Sequence, residues 1–210
     1  MNYSICPTVT AYSEKEYKQQ LDLLTKFAHR IHIDYMDGLF APTVSQTLPE
    51  SWWPKNIRAD LHLMYRHPME VYEDVVRHHP NLVIVHEESQ HVSSFVHLMH
   101  EHRLKVGIAL LHDTPADKLH HYINVIDHVL VFSGKLGHHG GQADLDLLHK
   151  VSAIRTMNQD IEIGWDGGIS ASNIIQLRDA GVNVFNIGSA IADNDNPENS
   201  YQQLLELLQS

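Results

Sequence analysis

Short runs of β-branched and apolar residues recur at a steady interval along the chain. Each is followed by a longer stretch in which apolar positions return every three or four residues. The short runs predict strands near Tyr3–Thr8, Arg30–Tyr35, Arg58–Leu63, Leu82–His86, Lys105–Leu110, His128–Phe132, Glu162–Trp165 and Val184–Ile187. The longer stretches predict helices over Ser13–Ala28, Pro68–His78, Val92–Arg103, Pro115–Tyr122, Ala143–Met157, Ala171–Ala180 and Pro197–Leu208. Boundary signals support them. Ser13 followed by Glu16 has the spacing of a capping box, Pro68 and Pro115 suit a first turn, Ser170 or Ser172 suits an N-cap, and Gly181 suits a C-terminal stop.

Strand–helix alternation repeated eight times implies a parallel sheet, because parallel neighbours need crossover connections. No linker rich in Pro, Gly or Ser splits the chain, so one α/β domain over residues 1–210 is expected. At about 26 residues per unit the arrangement is a compact (β/α)8 TIM barrel, with a doubly wound open sheet as the alternative. Pro7 conflicts with this pattern, since it falls inside the first strand and removes a ladder N–H.

Charge then removes several classes of function. Lys and Arg number 15 against 26 Asp and Glu, a formal charge of −11 that argues against a nucleic-acid phosphate binder. No apolar run approaches the roughly 18 residues of a membrane span, and the start of the chain carries no basic leader with an apolar run, so a cytoplasmic protein is expected. The single Cys6 excludes an internal disulfide and a thiolate zinc cluster, and reads as a buried reduced thiol. The 18 histidines are scattered and form no tag-like run.

In a barrel, catalytic groups gather at the C-terminal ends of strands, and residues two apart on a strand share a face. His32 and Asp34 end the second strand, Asp60 and His62 lie two apart on the third, and Asp166 follows the seventh. Imidazoles and carboxylates from these strand ends suit a nitrogen–oxygen site for Zn2+, Fe2+, Mn2+ or Co2+; the plainer reading is a set of hydrogen-bonded strand-end groups. Gly140-Gly141, Gly167-Gly168 and Gly188-Ser189 follow the last three strands, where bare backbone N–H groups can approach an anion.

The stretches His32-Ile33-Asp34-Tyr35-Met36-Asp37-Gly38-Leu39-Phe40-Ala41-Pro42, Asp60-Leu61-His62-Leu63-Met64, Val85-His86-Glu87-Glu88, Trp165-Asp166-Gly167-Gly168-Ile169 and Gly188-Ser189-Ala190-Ile191 occur in that order. Together they resemble the motifs of the ribulose-phosphate 3-epimerase family over nearly the whole chain. The resemblance implies a divalent metal, Zn2+ or Fe2+ first, held by His32, Asp34, His62 and Asp166, with Asp34 and Asp166 also the proton-transfer pair. It implies a sugar-phosphate substrate touched by Thr8, Met36, Met64, His86, Gly140, Gly141, Gly167, Gly168, Gly188 and Ser189. His86 and Glu88 are expected either to orient metal ligands or simply to pair at a strand end. A homo-oligomer is expected from the family habit.

The chemistry accounts for these residue types. Inverting a carbon beside a ketone removes a proton from one face and returns one to the other, so two carboxylates must flank the substrate, and a cation stabilises the enediolate between. Three departures stand out. The family's Pro-Ser-Ile-Leu reads Pro7-Thr8-Val9-Thr10, its Phe-Val-Pro-Asn reads Phe40-Ala41-Pro42-Thr43, and its sixth loop is replaced by Phe132-Ser133-Gly134-Lys135-Leu136-Gly137-His138-His139-Gly140-Gly141-Gln142, one residue longer, without the proline and with Lys135 added. The expected reaction is epimerisation of D-ribulose 5-phosphate to D-xylulose 5-phosphate, with D-allulose 6-phosphate as the rival substrate. A lyase of the hexulose-phosphate synthase or orotidine-phosphate decarboxylase type needs an Asp-x-Lys pair that His32-Ile33-Asp34 does not offer. A non-catalytic sugar-phosphate binder is the reading outside catalysis.

Overall fold

Eight parallel strands in one chain need seven crossovers, and the chain supplies them with short helices and tight turns. The computed structural model describes residues 3–138 and 140–210. Its strands are β1 (Ser4–Val9), β2 (Arg30–Met36), β3 (Arg58–Met64), β4 (Leu82–His86), β5 (Val106–Leu110), β6 (His128–Phe132), β7 (Glu162–Asp166) and β8 (Val184–Ile187). They run in sequence order around a closed barrel. Parallel pairing of β1 with β8, from Ser4↔Val184 to Pro7↔Ile187, closes it and excludes the open-sheet alternative.

The helices are α1 (Glu14–Leu24), α2 (Tyr72–His78), α3 (Val92–Glu101), α4 (Leu148–Met157), α5 (Ile174–Ala180), α6 (Ser189–Ala192) and α7 (Pro197–Gln209). At α1 the Ser13 hydroxyl accepts from the Glu16 N–H as expected, while the Glu16 carboxylate accepts from Tyr12 N–H, one residue earlier than a reciprocal box would place it. Gly181 ends α5 at φ 110°, as a left-handed stop requires. The described residues contain no helix long and apolar enough to cross a membrane.

Several expectations are corrected. The segment expected to be helical over Pro115–Tyr122 is a 3-10 turn, Ala116–His121, with Pro115 in front of it rather than in its first turn. Its buried positions Ala116 and Leu119 are three apart, the repeat that a 3-10 turn eclipses on one side. Neither Ser170 nor Ser172 caps α5. Their hydroxyls bond each other at 2.8 Å, and Asn173 folds the entry by accepting from Ser170 N–H. The four-residue α6 adds to the expected helices.

Pro7 does sit in a strand with a neighbour on each side. Ser4 N–H donates to Asn183 O on the β8 side, so alternation turns the Pro7 nitrogen toward β2, and the β1–β2 ladder begins only at Thr8↔His32. The missing donor falls just short of that ladder.

Period-two alternation sorts the strands into two surfaces. Ile31, Ile33 and Tyr35 of β2 and Ala59, Leu61 and Leu63 of β3 join the main core under the helices. The opposite positions fill the barrel in layers. Its middle holds Leu82, Ile84, Ala109 and Leu130. The N-terminal end is plugged by Arg30, whose guanidinium donates to Asp60 at 2.6 Å and to both Glu162 oxygens at 2.7 and 2.9 Å. The C-terminal end holds the titratable cluster.

Candidate metal and substrate site

The inward positions one step above the plug on β2 and β3 are His32 and His62, and one more step on β2 reaches Asp34. Asp166 ends β7 beside Phe132 of β6. One ligand atom from each of His32, Asp34, His62 and Asp166 lies within 4.8 Å of all the others. His62 Nδ1 is 3.0 Å from Asp34 Oδ1 and 3.5 Å from Asp166 Oδ2. His32 Nε2 is 3.3 Å from Asp34 Oδ1, 3.6 Å from Asp166 Oδ2 and 3.3 Å from His62 Nδ1. Four ligands about 2.0–2.2 Å from a cation stand about 3.3–3.6 Å apart at the corners of a tetrahedron, and the five histidine-bearing separations among these four groups, 3.0–3.6 Å, lie close to that range. Their two carboxylates also match its charge. The donor set fits a borderline ion such as zinc or ferrous iron, and the cluster can hold a metal.

Electrostatics point the same way. Burial opposes charge on His32, yet hydrogen bonds to Asp166 and Asp34 outweigh it and lift the imidazole to about 10. His62 is raised by the same two partners against the same burial penalty. Burial would raise both carboxyls, but the two histidines hold Asp34 and Asp166 below the ordinary range. Positive charge is thus favoured at the point where the carboxylates converge.

Behind the cluster the hydrogen bonds select one tautomer chain. His62 Nε2 is 2.8 Å from His86 Nε2, so one of the two nitrogens must carry the proton. With His62 Nδ1 turned to the cluster, Nε2–H is the donor and His86 Nε2 accepts, which leaves the His86 proton on Nδ1, facing Glu88 Oε2 at 3.5 Å without a formed hydrogen bond. Burial pushes His86 down to about 4, which keeps it neutral as that chain requires. Glu88 is fixed in turn by Leu111 N–H and the Thr114 hydroxyl. His86 stacks between His62 and Phe40 rather than facing substrate space.

A cavity open to solvent lies over the cluster. Of the predicted contacts, Thr8, Met36, Met64, Gly140, Gly167, Gly168, Gly188 and Ser189 line it; His86 lies behind it and Gly141 is exposed outside it. Lys135 lines it as well, on the altered sixth loop. His139 of that loop lies outside the described residues, as do Met1 and Asn2. Gly167 and Gly168 have a packing reason beyond bare N–H groups. A Cβ at Gly167 would meet Gly134 N at 2.3 Å, and one at Gly168 would meet Ala143 N at 1.9 Å, so the glycines let the seventh and sixth loops touch backbone to backbone.

Asp60, which the spacing alone places beside His62 at the strand end, belongs to the plug. It faces Arg30 and Asn81 one inward step toward the other end of the barrel. Gly134, Gly137, His138 and Ile169 also line the cavity without having been assigned a contact, and three further lining residues, Thr10, Phe132 and Asn186, come from strand ends. Thr10 donates its hydroxyl to Asp34 Oδ2 at 2.7 Å, and its position two beyond Thr8 was the available signal. Phe132 takes the last inward position of β6. Asn186 lines the cavity from β8, and a lone amide within the apolar run Val184–Ile187 was its signal.

A closed parallel barrel with a four-ligand nitrogen–oxygen cluster and glycine loops at its C-terminal mouth defines a small-molecule enzyme of the TIM-barrel class. A family model described as the ribulose-phosphate 3 epimerase family matches residues 4–192. The chain belongs to that family, whose members are isomerases. It is 32% identical over 171 residues to the ribulose-phosphate 3-epimerase of Treponema pallidum (strain Nichols), covering 78% of each chain. It is likewise 32% identical over 171 residues to that of Serratia marcescens, covering 77% of this chain and 81% of the relative. Among solved structures, KGPDC from Streptococcus mutans superposes with a TM-score of 0.76 over 100% of this chain and 98% of that one, at 11% identity. The 3-hexulose-6-phosphate synthase from Salmonella typhimurium gives 0.73 over 98% of each at 14%. At such identity these two share the fold alone.

Proposed function

We propose that the protein epimerises a ketose phosphate at C3, with D-ribulose 5-phosphate to D-xylulose 5-phosphate as its reaction. The observation that carries this reading is the placement of Asp34 on β2 and Asp166 on β7, two carboxylates on different walls of one cavity, both tied to His32 and His62. One carboxylate takes the C3 proton and the other returns a proton to the opposite face. His32, Asp34, His62 and Asp166 would hold a divalent cation, Zn2+ or Fe2+, which supplies positive charge to stabilise the enediolate. The Thr10 hydroxyl orients Asp34, while Met36, Met64 and Phe132 keep water from the reacting carbon. Gly167, Gly168, Gly188 and Ser189, which line the cavity from the seventh and eighth loops, are the proposed phosphate end. D-Allulose 6-phosphate is the second reading, favoured by the added Lys135 at the cavity wall.

The test is a coupled assay for C3 epimerisation of both substrates, run on metal-replete and chelated protein. Metal-dependent turnover of ribulose 5-phosphate supports the proposal, and preferential turnover of allulose 6-phosphate supports the second reading. Silence on both would overturn it.

A further inference from the structure

Asn186 presents an amide that no described residue answers. The residue is 2% exposed, it lines the cavity, and neither its Oδ1 nor its Nδ2 has a hydrogen-bond partner. A buried amide left unpaired is costly, and a strand-end position between apolar neighbours would be filled more stably by valine. The Thr8 hydroxyl, 5% exposed, is unpaired as well. Their strands place both groups on one arc of the wall. Asn186 pairs in register with Asp166 on one side and Cys6 on the other, and Thr8 pairs with His32. The arc therefore runs from Asp166 through Asn186 and Thr8 to His32, bridging the two ends of the metal-type cluster on the side away from His62 and His86. Two residues beyond Asn186 the chain reaches Gly188 and Ser189.

We infer that Asn186 is a specificity-determining residue that grips the hydroxyl on the carbon between the epimerised centre and the phosphate. The inference rests on the epimerase reading given above. An amide offers an acceptor and donors side by side, the complement of one alcohol O–H, which both gives and takes a hydrogen bond. Its place beside Asp166 and below the Gly188 loop corresponds to the C4 hydroxyl of a ketopentose phosphate whose C3 lies between the carboxylates. A site built to bond a hydroxyl discriminates strongly against the analogue that lacks it, because its own polar atoms are then left unpaired.

The experiment compares D-ribulose 5-phosphate with its 4-deoxy analogue in the metal-replete wild type, Asn186→Val and Asn186→Thr, by kcat/KM and by calorimetric dissociation constants. The wild type is expected to prefer the hydroxylated substrate by about 10- to 100-fold. In Asn186→Val the preference should fall to within about threefold, chiefly by loss of the hydroxylated substrate, and Asn186→Thr should recover part of it. Equal loss on both ligands, or an unchanged preference in Asn186→Val, would overturn the inference. Binding without turnover in the wild type overturns the epimerase reading while the dissociation constants still decide the role of Asn186. Binding of neither ligand overturns both.

Discussion

Replacing Arg30 with Met tests whether the N-terminal end of the barrel is an electrostatic plug. Arg30 is 6% exposed and Asp60 only 1%, so their 2.6 Å contact is shielded from water, and the remaining guanidinium nitrogens hold Glu162 in a fork. Burial alone would lower the Arg30 pKa, but Glu162 and Asp60 more than offset this and keep it charged. Methionine fills much of the space and removes the charge. Asp60 then keeps only the Asn81 amide, at 2.6 Å, as a partner for a carboxylate with no access to solvent. Breaking one side of a buried pair costs about 3–5 kcal/mol. At about 2–4 °C per kcal/mol for a chain of this size, the melting temperature should drop by roughly 6–20 °C. Urea unfolding and calorimetry at pH 7 give the two readings. Turnover measured well below the new melting temperature should stay within a few-fold of wild type, because the plug sits an inward step below His32 and outside the cavity. The double variant Arg30→Met with Asp60→Leu should regain part of the loss, since it removes the unpaired buried Asp60 charge, while Glu162, 37% exposed, keeps His128 and water as partners. A loss below about 1 kcal/mol, or a double variant weaker than the single, would refute the reasoning.

Three further outcomes are expected. Asp34→Asn and Asp166→Asn should each lower kcat by about 100-fold or more with the fold intact by circular dichroism, whereas full activity in either would remove it from the proton-transfer pair. Metal affinity should climb about tenfold per pH unit from pH 6 to 9, because His32, held protonated up to about 10 in the metal-free protein, must release its proton to bind; a flat competition titration would contradict this. Gly168→Ala should cost more than the about 1–2 kcal/mol of a left-handed φ of +70°, because the new Cβ also meets the Gln142–Ala143 backbone, and should raise KM by pushing the sixth loop outward; an unchanged melting temperature and KM would refute this.

Much of the site is readable in the sequence because barrel strands alternate. His32 and Asp34, two apart, had to share the inward face, and the glycine pairs after β6 to β8 had to fall at one mouth. The same rule could not say how far along a strand each inward residue stood. Asp60 and His62 also share a face, yet one step of the stagger sends Asp60 into the plug and His62 into the cluster. For His86 the sequence leaves contact with substrate and support of a ligand both open, and only the 2.8 Å contact with His62 places it behind the cluster. Asn186 escaped notice because a single polar residue in an apolar strand has no periodic signature, and Thr10 because it lies past the end of its strand, where alternation is no longer enforced.

Local chemistry along the chain determined the eight strands and most of the helices between them, the cap at Ser13, the stop at Gly181 and the residue types of the site, since propensity, alternation and turn chemistry act over a few neighbours. Tertiary structure alone decided whether the sheet closed, which layer each inward side chain joined, how Pro7 was accommodated and which loops the glycines brought together. Those depend on strand register and on contacts between residues as far apart as Arg30 and Glu162, where geometry is set by the closing of the whole barrel.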